Sequence, residues 1–264
     1  MCGIFGYFCK SQVDIQKVLK LLEILEVHQY EDEKKPVGGH GVGVCFVNDS
    51  GVAMLYKVGK TNSSPVKDLS LVKGLSEASS RIVLGHVRYA SPYLIDTIEY
   101  SVAAQPYKAE CIGFSEIISV HNGKVKNYKH IRKDLSREHS FQSESVKLND
   151  SEVVPHLFEE NLMIGFDEVT ARERTFETIQ GNNTAVLITQ LEGKSLLHIL
   201  HKGKTRGMHV WKNEKGEIIL CSREKPLLQV FGEFLGENDF EKVLSIEWKE
   251  DKEIQQTYDL VHTY

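Results

Sequence analysis

The sequence predicts an α+β fold in which antiparallel sheets stack on one another and carry helices on their outer sides. Three observations predict it. Apolar runs of strand length come in pairs around turn residues, amphipathic helical patterns stand in separate blocks between them, and residues 184–222 hold four β-rich segments in succession. Each strand or helix buries only one face, so stacked layers are the way such a set closes a core.

Ile4 to Phe8 reads as a short apolar strand, and Ser11 is placed to cap a helix that begins near Val13. Val13, Lys17, Leu21 and Ile24, with Val18, Leu22 and Leu25, form the stripe of that helix to about Val27. Glu31 to Lys35 is a charged loop. Val42–Val47 and Val52–Val58 flank Asn48-Asp49-Ser50-Gly51, a hairpin signal. Residues 67–79 read as helix, Arg81–Val87 as a central strand, 91–112 as an irregular stretch, and Glu116–His121 as a second apolar strand. A helix is expected over 127–135, then a polar loop over 136–149 that composition marks as the mobile one. Asp150 is placed to cap a helix running to about Leu162, and another helix is expected near 170–179. Strands at 184–190, 195–201, 207–212 and 217–222, a helix near 225–232 and a strand near 243–248 complete the pattern. The sequence is read as a single domain, 2–264, with a core over about 2–248 and a C-terminal tail over 249–264.

With 32 basic and 37 acidic side chains among 264 residues, the formal charge is −5. That argues against a general binder of nucleic acid or anionic membrane. No apolar run approaches the ~20 residues of a membrane helix, and the start of the chain lacks the marks of a signal peptide. The five cysteines form no Cys-x-x-Cys pair, so a reducing, cytoplasmic compartment is expected, without a disulfide framework, metal or cofactor. Lys202-Gly203-Lys204-Thr205 ends like a phosphate-binding loop but has His198 where the leading glycine belongs, and reads as a polar turn.

Cys2 differs from the other cysteines. With Met1 removed, one residue carries both a thiol and a free α-amine, whose pKa near 7.7–8 leaves a useful unprotonated fraction at neutral pH. That amine can take the thiol proton and return it to a leaving amine. Three segments suit the rest of a site for an amino acid. Arg88, ending a strand, is a two-pronged partner for an α-carboxylate. Asp150 can hold an α-ammonium. Asn122-Gly123 offers two donors to an oxyanion. Singly, each has an ordinary reading as a surface ion pair, a helix cap or a turn.

Together these residues resemble the class II glutamine amidotransferases, the glutaminase domains of the N-terminal-nucleophile hydrolase superfamily. The resemblance runs through Met1-Cys2-Gly3-Ile4-Phe5-Gly6, Gly85-His86-Val87-Arg88-Tyr89-Ala90-Ser91, Gln105-Pro106, His121-Asn122-Gly123, Asn127-Tyr128, Asp150-Ser151-Glu152-Val153-Val154-Pro155-His156-Leu157 and Cys221-Ser222-Arg223-Glu224. The Gly-His-Val-Arg-Tyr form is closer in style to the phosphoribosylpyrophosphate amidotransferase branch than to the glucosamine-6-phosphate synthase branch. The resemblance implies a four-layer αββα sandwich. It implies Cys2 as nucleophile, its α-amine as base, and Asn122 and Gly123 as oxyanion hole. Arg88 and Asp150 would hold L-glutamine, with Ser91 near the ligand. The products would be glutamate and ammonia, formed through a γ-glutamyl thioester. Tyr89 and His86 stand beside this set as possible support, His86 in a packing or hydrogen-bonding role.

One departure bears on turnover. After the first helix the family has Arg-Gly-x-Asp-Ser-Ala-Gly, its arginine helping to hold the N-terminus. This chain has His28-Gln29-Tyr30-Glu31-Asp32 and then an insertion before Gly38-Gly39-His40-Gly41. His28 in that place would make the support titratable. The leading expectation is a glutaminase feeding ammonia to a separate acceptor site, channelled within a synthase or acceptor-domain partner subunit or a homo-oligomer. The alternatives are a catalytically silent glutamine- or glutamate-binding regulatory module, and an N-terminal-cysteine amidase for another amide. Arg88 with Asp150 argues against the last.

Overall fold

The computed structural model describes residues 2–48, 50–75, 77–111, 113, 115–136, 138–191 and 194–260. Met1 and Asp49, on which parts of the sequence reading fall, lie outside the described residues. Two wholly antiparallel sheets form the centre. The first contains β1 (Gly3–Asp14), β2 (Gly41–Val47), β3 (Ala53–Gly59), β4 (Ser79–Val87), β9 (Met208–Lys212), β10 (Ile218–Cys221) and β11 (Glu241–Ile246), in the order β11-β9-β10-β1-β4-β2-β3. The second contains β5 (Tyr107–Ala109), β6 (Ser115–Gly123), β7 (Asn183–Leu191), β8 (Lys194–Lys204) and β12 (Asp251–Asp259), in the order β12-β8-β7-β6-β5.

Alternation along the strands makes the layers. On β1, Phe5 and Tyr7 pack beneath α1 (Ile15–Val27), α2 (Pro65–Ser70) and α6 (Glu224–Glu237), through Leu22, Leu69 and Phe231. Ile4 and Phe8 point the other way and meet Ile118, Val120, Val186 and Ile199 of the second sheet. The far face of that sheet, with Ile117 and Leu187, packs on Val154, Phe158 and Phe176. These side chains come from α4 (Val153–Met163) and α5 (Glu168–Thr178), with α3 (Tyr128–Asp134) beside them. The result is the expected αββα sandwich.

Four local expectations are corrected. Ser11 does not cap α1: β1 continues past it, through a register shift, to pair Val13 and Asp14 with Ser80 and Ser79. The Asp14 carboxylate instead accepts from the Gln16 N–H. The helix expected over 67–79 starts earlier, capped by Ser64, and ends at Ser70. The polar segment 136–149 is anchored at alternate points, because His139, Phe141, Ser143 and Asn149 are buried. Residues 251–259, expected within a tail, form β12, paired residue by residue with β8.

Candidate active site

Cys2 stands two residues before Ile4, so the strand alternation aims it into the gap between the sheets. Its half-buried Sγ receives the Tyr89 N–H at 3.4 Å and lies 3.7 Å from the Tyr89 carbonyl oxygen. Burial alone would push the thiol up. In the chain that keeps Met1, the positive charge of the terminal amine, and after it the His86 imidazole, outweigh burial and hold the thiol at about 6. His86 pairs with Ile4 across β4 and β1 and so shares this inner face. It is wholly buried, and neither ring nitrogen has a hydrogen-bond partner among the described residues.

Cys2, Arg88, Ser91, Gly123 and Asp150 line one cavity of about 650 Å³, a size suited to a small ligand. Arg88 follows β4 and is 3% exposed. Its guanidinium donates to the Thr97 hydroxyl at 2.7 Å and the Thr97 carbonyl at 3.3 Å. Two of five N–H groups are thereby used, and the planar group is fixed in place with donors to spare. Asp150 lies just before α4 but does not cap it. Its Oδ1 accepts from the Tyr93 hydroxyl at 2.6 Å and its Oδ2 from the Val125 N–H at 2.9 Å. Each oxygen keeps a free lone pair. Tyr93 and Thr97, which set these two groups, sit in the stretch read as irregular; only the Pro92 that opens its first short helix was a usable signal.

Asn122 occupies the inner face of β6, in step with Ile118 and Val120. It is 1% exposed, and neither amide atom has a partner among the described residues. The next residue, Gly123, reaches the cavity with φ +140, and a Cβ there would lie 2.2 Å from the Asn182 carbonyl oxygen. Only glycine fits so close to that backbone. Both ring nitrogens of His121 are engaged, by Ser151 at 2.9 Å and Asn183 at 3.0 Å, and Gln105 bonds the His121 backbone twice. This fastens the end of β6. Tyr89 stacks on His40 at 4.1 Å, and His40 Nδ1 accepts from the Ala90 N–H, which fixes the 88–91 turn.

His28 stands outside the cavity lining. Its ring meets Tyr30 edge-on, and burial, then Arg223, Lys225 and Arg206, push it down to about 4, so it is neutral at pH 7. The cations near the chain start come from further along the sequence. Arg206 lines the cavity, responds to the charge on Cys2, and shares the carboxylate of Glu33 with Arg223. Nothing in the first helix or its exit forecast that pair.

Residues 95–229 match the family described as "Glutamine amidotransferase domain", a span that takes in Asn122, Gly123 and Asp150 and leaves out Cys2 and Arg88. The glutamine–fructose-6-phosphate aminotransferase of Sulfurisphaera tokodaii is 30% identical over 191 residues, covering 71% of this chain and 28% of that protein. The enzyme of the same name from Geobacillus kaustophilus is 24% identical over 245 residues, 92% of this chain and 36% of its own length. This chain therefore spans about a third of these curated relatives. Among solved structures, the glutamine phosphoribosylpyrophosphate amidotransferase from B. subtilis superposes with a TM-score of 0.63 at 15% identity, over 99% of this chain and 50% of that one. A glutamine aminotransferase class-II domain protein from Silicibacter pomeroyi superposes with a TM-score of 0.52 at 13% identity, over 98% of this chain and all of that one. At such identity these likenesses establish the fold.

Proposed function

We propose that this chain, which belongs to the glutamine amidotransferase domain family, cleaves the side-chain amide of L-glutamine and releases ammonia for a separate acceptor site. The observation that carries the reading is the convergence of Cys2, Arg88 and Asp150 on one cavity, each held by neighbours that leave bonding capacity free. A cation and an anion lining one cavity suit the two charged ends of an amino acid, and a thiol lining the same cavity suits its far carbonyl.

In this reading Arg88 grips the α-carboxylate and Asp150 the α-ammonium. The Cys2 sulfur attacks the amide carbon, and the α-amine of a Met1-processed chain takes the thiol proton. The carbonyl oxygen becomes an oxyanion, which the Asn122 side chain and the Gly123 N–H stabilise. Collapse expels ammonia with that proton and leaves a γ-glutamyl thioester, which water hydrolyses to glutamate. Ser91 flanks the bound ligand, and Tyr89 positions the sulfur through its backbone. Free ammonia is largely protonated at neutral pH and no longer nucleophilic. Delivery through a channel to a synthase-type partner, or to a further part of a longer polypeptide, follows from that chemistry.

The test is labelling of the processed chain with a glutamine analogue bearing an electrophile at the γ position, and mapping by mass spectrometry. One adduct on Cys2, blocked by excess glutamine and absent in Cys2→Ala, is expected. A processed chain that binds glutamine but never forms that adduct would instead be a silent binding module.

A further inference from the structure

Away from the cavity, four side chains converge behind the first turn of α4. Cys111 lies just past β5, His139 in the segment after α3, and His156 and Glu159 one turn apart on α4. Their ligand atoms all fall within 4.8 Å of one another. His156 Nδ1 is 3.6 Å from Cys111 Sγ, 3.3 Å from His139 Nδ1 and 3.6 Å from Glu159 Oε2, and His139 Nδ1 is 3.2 Å from that same oxygen. Zinc held tetrahedrally, with Zn–S about 2.3 Å and Zn–N and Zn–O about 2.0–2.2 Å, gives edges of roughly 3.6 Å between sulfur and nitrogen and roughly 3.3 Å between the lighter donors. Three of the four edges match those lengths, and the fourth, between His156 Nδ1 and Glu159 Oε2 at 3.6 Å, is about 0.3 Å longer.

The surroundings fit as well. The His139, His156 and Glu159 side chains are at most 1% exposed. His139 Nε2 faces Glu160 Oε2 at 2.8 Å, the outer carboxylate that commonly fixes a ligating imidazole. The Ser140 N–H donates to Cys111 Sγ at 3.4 Å, a bond that favours the thiolate. Phe141 walls the group at 4.1 Å from the His156 ring. Protons alone serve this geometry poorly, because His156 Nδ1 faces three groups and can donate to only one.

We propose that Cys111, His139, His156 and Glu159 form a closed structural site for a divalent transition metal, zinc by its donor set. Binding displaces the Cys111 thiol proton to solvent and forms four protein–metal bonds, with no redox change. The metal would tie the 110–113 and 136–149 segments to α4. Glu152 already accepts from the Gln142 and Ser143 N–H groups there, and the Asn149 N–H bonds the Ser143 hydroxyl. The rival arrangement is a protonated His139 between two carboxylates. Burial lowers that ring's pKa, and Glu159 and Glu160 reverse the effect and raise it.

The whole chain, in a Cys2→Ala background so that the N-terminal thiol contributes nothing, would be stripped of metal and titrated with Co²⁺ under reductant. One equivalent is expected to give tetrahedral visible bands and a thiolate-to-cobalt charge-transfer band, both displaced by Zn²⁺. Cys111→Ser should abolish the charge-transfer band, and His156→Ala should weaken binding more than about 100-fold; Cys9→Ser should change neither. An octahedral spectrum, or a band that survives Cys111→Ser, overturns the proposal. If Cys111→Ser does not fold, metal analysis of the unstripped chain decides: near one zinc per chain supports the site, and near none overturns it. These readouts are independent of glutamine cleavage, so they stand whether or not the proposed activity does.

Discussion

At Cys2 two electrostatic effects oppose each other. Burial disfavours the thiolate, whereas the terminal positive charge and His86 favour it and prevail, leaving the thiol at about 6. Deprotonation proceeds as pH rises, so alkylation of Cys2 by iodoacetamide in the chain that keeps Met1 should climb with a midpoint near pH 6 and level off above neutrality. Cys9, Cys45 and Cys221, pushed up by burial, should stay inert over that range. Acetylating the N-terminus removes the largest favourable charge and should move the midpoint upward; an unmoved midpoint would assign the effect elsewhere. Asn122 presents a different imbalance. A buried amide with neither atom partnered among the described residues costs about 1–3 kcal/mol per group. Asn122→Ala should therefore lower glutamine turnover by about 10²–10³ while thermal stability holds or rises; unchanged turnover would remove the side chain from the oxyanion hole. Arg88→Ala should act on affinity, weakening glutamine binding by about 2–5 kcal/mol if the ion pair is desolvated. Isothermal titration in a Cys2→Ala background would read this directly.

Among elements, those whose sequence carries their own burial pattern were readable. The α1 stripe, the β2–β3 hairpin and the apolar runs of β4, β6 and β7 each bury a face that periodicity declares. The failures occurred where a neighbour outside the segment decides. Residues 251–259 are mostly charged or polar because β12 is an edge strand, of which only Ile254 and Tyr258 pack on the inter-sheet core. Segment 136–149 looks like a solvated loop, yet it is held by Glu152 and by groups at Cys111 and α4 that lie far away in sequence. The motifs of the proposed site were legible because each pairs a chemical group with a strand end or helix start; the groups that orient them, Tyr93 on Asp150 and Thr97 on Arg88, come from the short helix Pro92–Thr97, which carries no such signature. β12 is more than a cover. Thr257 on its outer face bonds Arg172 at 2.7 Å and His198 at 3.0 Å. Ending the chain after Glu250 should strip both faces, expose the edge of β8, and cost about 3–5 kcal/mol. Calorimetry should show a melting temperature roughly 10 °C lower, with concentration-dependent aggregation. An unchanged melting temperature would reduce β12 to an ornament of the sheet.

For the whole molecule, one carboxylate joins parts of the chain that no local pattern relates. Glu33, within the insertion after α1, pairs with Arg206 between β8 and β9 and with Arg223 between β10 and α6, partners 173 and 190 residues away. All three side chains are at most 5% exposed. The Arg223 guanidinium lies over the Tyr30 ring at 4.2 Å, Tyr30 stacks on Trp248 at 5.6 Å, and the Tyr30 N–H donates to Glu33 Oε2 at 3.0 Å. This cluster therefore closes the insertion against both sheets and builds the cavity wall that includes Arg206 and Trp248. A charge of one sign facing two of the other tolerates no neutral replacement. Glu33→Gln keeps the shape and takes the shared carboxylate away from two buried guanidiniums, at a cost of about 3–5 kcal/mol, or roughly 10 °C in melting temperature. The second variant separates charge from packing. Arg206→Met added to Glu33→Gln removes one of the stranded cations, so the double variant should be more stable than Glu33→Gln alone, a non-additivity that independent sites do not show. If the double variant is instead less stable by the sum of the single effects, Glu33 acts through packing. The insertion would then be a surface loop rather than the strap that closes the cavity.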